Sequence, residues 1–92
     1  MSNITLDSAA LAEAANDLSS YIDEVKENIR KMQEAAQDCI DNMEKDSYSQ
    51  SALTQITETI SQLRGNLEKA EDLKRRIIDK KNEIEESGKI LG

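Results

Sequence analysis

The sequence predicts an all-α fold: an antiparallel two-helix hairpin, a helical coiled-coil hairpin, that pairs into a four-helix bundle. Three observations carry that expectation. Leu11, Ala15, Leu18, Ile22, Val25, Ile29, Met32, Ala36, Cys39 and Met43 step by four and three in strict alternation, which lays one narrow apolar stripe along a helix. A second stripe, Leu53, Ile56, Ile60, Leu63, Leu67 and Ala70, repeats the spacing in a different phase. With no Pro, Phe or Trp, 34 % charged and 37 % hydrophobic residues, the chain suits helices joined by a seam, not a thick aromatic core. A polar helix with one apolar stripe must lay it against another helix.

Taken in order, residues 1–6 read as an extended start. Asp7 is the expected N-cap, because its carboxylate can accept from the free backbone N–H groups of the first turn. Leu6 and Leu11 flank that cap with the spacing of a hydrophobic staple. Helix 1 is expected over about 8–44 and the turn at about 45–47. Ser47 and Gln50 fit a capping box, a helix start. Phase supports the break. An uninterrupted first stripe would include Gln50, Thr57, Arg64 and Glu71, all polar. One continuous rod, dimerised as a coiled coil, is the rival arrangement, but it would carry a misaligned seam.

Helix 2 is expected over about 48–86, with its seam thinning to Leu73, Ile77 and Ile84 and with Lys80 and Lys81 between them. A short connection between helices of near-equal length implies an antiparallel pair. Gly65 falls mid-helix, as a tolerated surface glycine or as a point of close partner approach. Gly88 is the expected helix stop. The 92 residues have room for one domain, 1–92.

The formal charge of −7 is lopsided: residues 1–50 hold eleven acids and four bases, residues 51–92 eight of each. A strongly acidic chain is repelled by nucleic acid and anionic membranes, so neither is an expected partner. Folding back would bring Lys74, Arg75, Arg76, Lys80 and Lys81 towards Glu13, Asp17 and Asp23, so the basic cluster reads as a solvated face complementing helix 1. No apolar run approaches the roughly 18 residues of a membrane span. The N-terminus has neither a basic start nor an apolar core, so no secretory signal peptide is expected.

Ala14, Tyr21, Ala35 and Ile40 flank the first stripe, and Leu73 and Ile78 flank the second. They widen it beyond a two-helix seam and are the candidate partner-binding residues. The chain has no histidine, no Gly-rich phosphate loop and one cysteine, Cys39, which sits in the stripe as a small hydrophobe. Asp38, Asp41 and Asp46 lack the glycine and closing Glu of a calcium loop. Neither catalytic residues, a cofactor nor a metal is expected.

The chain resembles the WXG family of small type VII secretion proteins and their helical relatives over nearly its whole length. The start ITLDSAALAEAANDL is similar to the family's extended start, cap and Ala/Leu-rich first turn. The segment SYSQSALTQI lies where the family carries Trp-x-Gly, with Tyr48 at the Trp position and Gln50 at the Gly position. The family's Tyr-x-x-x-Asp/Glu export signal is missing, since Tyr21 is followed four residues on by Val25 and Tyr48 by Ala52. The Phe-x-x-x-Asp ending of some toxin-associated relatives is missing too. The resemblance therefore implies a partner that binds a signal-bearing protein. That protein is another helical hairpin, in a homo- or heterodimer, or the helical N-terminal domain of an LXG toxin. The implied location is the cytoplasm, with export by the type VII route as the alternative. Two other functions fit the residues: a self-assembling coiled-coil scaffold, and an acidic inhibitor of a basic target.

Overall fold

The computed structural model describes residues 7–42 and 47–91, and of Ser47 and residues 88–91 it describes the backbone alone. The chain is an all-α helical hairpin of α1 (Ser8–Asn42) and α2 (Ser47–Leu91). The expected staple at Leu6, the turn at 45–46, the end of helix 1 at Met43–Glu44 and the Ser47 side chain of the capping box lie outside the described residues.

Asp7 caps α1. The Ala10 N–H donates to Asp7 Oδ1 at 2.7 Å, and the Leu11 N–H donates to the Asp7 carbonyl at 3.2 Å. The side chain and the carbonyl of one residue thus satisfy two N–H groups of the first turn.

The far end of α2 departs from the expectation. Over the described residues α1 has 35 residues and α2 45, and α2 runs through Gly88 to Leu91 instead of stopping near Glu86. Glycine permits the left-handed stop conformation but does not force it, and its cost inside a helix is only about 1 kcal/mol. Gly65 is also helical, and a Cβ built there meets nothing within 4 Å.

The chain divides into two compact units, Met1–Ile22 with Lys69–Gly92 and Asp23–Glu68. Each joins a stretch of the first half of the chain to a stretch of the second, running in opposite directions. In the first unit Ala15 and Ile22 of α1 and Ala70 of α2 are buried, and Leu11, Leu18, Ile77 and Ile84 are half-buried beside them. In the second, Val25 and Ile29 are buried, and Met32, Ala36, Cys39, Leu53, Ile56, Ile60, Leu63 and Leu67 are half-buried. Every described residue of the α1 stripe is therefore covered. No polar or charged side chain is fully buried among the described residues.

The α2 seam differs from the expectation after Ala70. Leu73 is 49 % exposed and stands outside it. The three-and-four spacing continues instead through Lys74, Ile77, Lys81 and Ile84, all half-buried. Helix geometry fixes which positions face a partner, and Leu73 is one residue out of step with it.

Candidate partner-binding surface

Heptad positions sort the candidate residues. With the two stripes as the a and d positions, Ala14, Tyr21, Ala35 and Leu73 are all g, whereas Ile40 and Ile78 are e. In an antiparallel pair the two g edges share one face and the two e edges share the other. In the first unit, Ala14, Tyr21 and Leu73 therefore belong to one face and Ile78 to the opposite one. Tyr21 is 43 % exposed and Leu73 49 %, while Ala14 is half-buried. Ala35 and Ile40 belong to the second unit, on its g and e edges, and both are exposed. The six residues expected to form one partner surface thus fall on two edges and in two units.

Tyr48 and Gln50 lie in the first turn of α2. Tyr48 is 82 % exposed, so the position marked by the family motif is not part of a seam. Gln50 is exposed too, and its carbonyl accepts from Thr54 Oγ1 at 3.2 Å.

The g face of the first unit combines an apolar patch with a polar border. An aromatic ring, a leucine and a small alanine let a partner helix approach closely and bury area. On the e edge lies an open depression of about 300 Å³, lined by Glu71, Lys74, Arg75 and Ile78. The Ile78 side has charged walls, so the two edges of this unit differ in chemistry.

The basic cluster pairs along its own helix. Arg75 and Arg76 both engage Asp72, the latter at 3.0 Å, and Lys80 reaches Glu83 at 3.6 Å and Lys81 reaches Glu85 at 3.1 Å. These four residues thus pair with acids three or four residues away on α2. Such neighbours stand one helical turn away, within easy reach of each other. On α1, Arg30 bridges Glu27 and Glu34. The hydrogen bond from Arg30 holds the Glu27 carboxyl below the usual glutamate range, and Glu27 in turn raises the pKa of Arg30.

Among the described residues, no group of three or more His, Cys, Asp or Glu could hold a metal ion, and no helix is long and apolar enough to cross a membrane. Cys39 is a free, half-buried thiol of the α1 stripe. Lys74 and Lys81, which the sequence reading left out of the seam, are the half-buried seam positions it missed. The signal was the spacing itself, which continues unchanged past Ala70 and lands on both lysines.

No family model, curated protein or solved structure matches the chain.

Proposed function

We propose that this chain is a non-enzymatic helical-hairpin partner, a targeting chaperone, of a bacterial type VII secretion system. It completes a four-helix bundle with the helical N-terminal domain of an LXG toxin or with a second small hairpin. One observation supports the binding role: Tyr21 and Leu73, two large apolar side chains, stand exposed on one face of a two-helix unit, outside its seam. The secretion context rests on the resemblance at ITLDSAALAEAANDL and SYSQSALTQI.

The test is a pull-down from the native cell in high salt, with mass spectrometry of what stays bound. A protein with a long helical N-terminal region, or a second small hairpin, is the expected catch. The double variant Tyr21→Glu/Leu73→Glu should lose it while keeping its helix content by circular dichroism. Recovery of the bait alone, at the mass of a dimer, replaces this reading with a self-assembling scaffold.

A further inference from the structure

The two units have different seams. In the second, no a or d position of either helix between Val25 and Leu67 whose side chain is described is charged, and all are apolar but Ser49 at the start of α2. In the first, α2 contributes Ala70, Lys74, Ile77, Lys81 and Ile84, so two of its five seam positions are lysine, and both are a positions. Their placement is distinct from that of their neighbours. The Lys81 side chain is 28 % exposed, against 69 % and 76 % for Arg75 and Arg76. Lys74 is half-buried, whereas Lys69 and Lys80 are exposed. The aliphatic stems of lysines in a seam cover apolar surface while the ammonium groups stay hydrated. An ammonium cannot follow its stem into full burial. A lysine at an a position accordingly lowers the stability of the pairing it helps to register.

We infer that α1 up to Ile22 and α2 from Lys69 open and close as a unit, separately from residues 23–68, and that Lys74 and Lys81 set this difference. The boundary between the two compact units, at Ile22/Asp23 and Glu68/Lys69, falls where the seam changes from uncharged to lysine-bearing. Cooperative opening follows such boundaries, because the unit with fewer buried apolar contacts opens at lower free energy. The inference concerns this chain alone and does not depend on which partner it takes.

Amide hydrogen exchange of the full chain, read by mass spectrometry or NMR, tests it. Residues 14–22 and 69–80, away from the fraying ends of the helices, should exchange at least about tenfold faster than residues 25–40 and 53–67. Lys74→Leu/Lys81→Leu should slow the first set by about tenfold or more and leave the second set unchanged. Lys69→Leu/Arg76→Leu removes the same two charges from exposed positions and should leave both sets unchanged. Equal protection of the two sets in the native chain overturns the inference. So does a seam variant that fails to slow the first set, or a surface variant that slows it as much.

Discussion

At the start of α1 the Asp7 carboxylate accepts from the Ala10 N–H, and this single contact fixes where the helix begins. Asp7→Ala should cost about 1 kcal/mol, read as a lower midpoint in urea denaturation, while Asp7→Asn, which keeps an acceptor, should cost less. Arg30 works differently, through its hydrogen bond to Glu27. A carboxyl whose pKa is lower in the folded helix than in the unfolded chain stabilises the helix above its unfolded pKa. That contribution is lost as pH falls through the folded value. In an NMR titration Arg30→Gln should move the Glu27 carboxyl upward, towards ordinary glutamates. Both residues were readable to different degrees. The cap was legible because its chemistry is local, whereas the Glu27 shift depends on which rotamer brings Arg30 to it.

At the scale of elements, hydrophobic spacing located both helices, since period alone decides which positions face a partner. It was less informative about where α2 ends. Gly88 was expected to stop it, yet the helix passes through. Gly65 makes the complementary point, since open space surrounds the place where its Cβ would be. Gly65→Ala should stabilise the chain by about 1 kcal/mol, seen as a raised thermal midpoint. Destabilisation by this substitution would mean that a partner backbone approaches there. The lysine-bearing part of α2 was misread for a simple reason. Following apolar residues past Ala70 leads to Leu73, whereas following the spacing leads to Lys74 and Lys81. Where a helix is amphipathic but poor in apolar residues, spacing is the better guide, because backbone geometry does not depend on side-chain chemistry.

For the molecule as a whole, the formal charge of −7 makes electrostatics an obvious candidate for partner choice, but Tyr21 and Leu73 offer an apolar alternative. The two make opposite predictions in salt. At about 1 M the screening length falls to about 3 Å, so an association through exposed charge weakens steeply. One through Tyr21 and Leu73 should hold or tighten, since apolar burial is not screened. Sedimentation of the complex at low and high salt separates these outcomes, and loss of the complex in high salt would favour the acidic-inhibitor reading. The candidate surface was only half legible. All six flanking residues were visible as apolar positions beside a stripe, and their g and e edges follow from the same spacing, but their division between two compact units does not.

By itself the sequence determined the helical class, the two stripes, the cap at Asp7 and the break between the helices. Each of these follows from residue spacing or from contacts three or four residues apart. The tertiary structure alone decided that the chain divides at Ile22/Asp23 and Glu68/Lys69, and how deeply each seam position is covered: Ala70 buried, Lys74 and Lys81 half-buried. Those outcomes depend on how residues some fifty positions apart meet across a hairpin. There, reach and burial choose between partners that the linear sequence leaves equivalent.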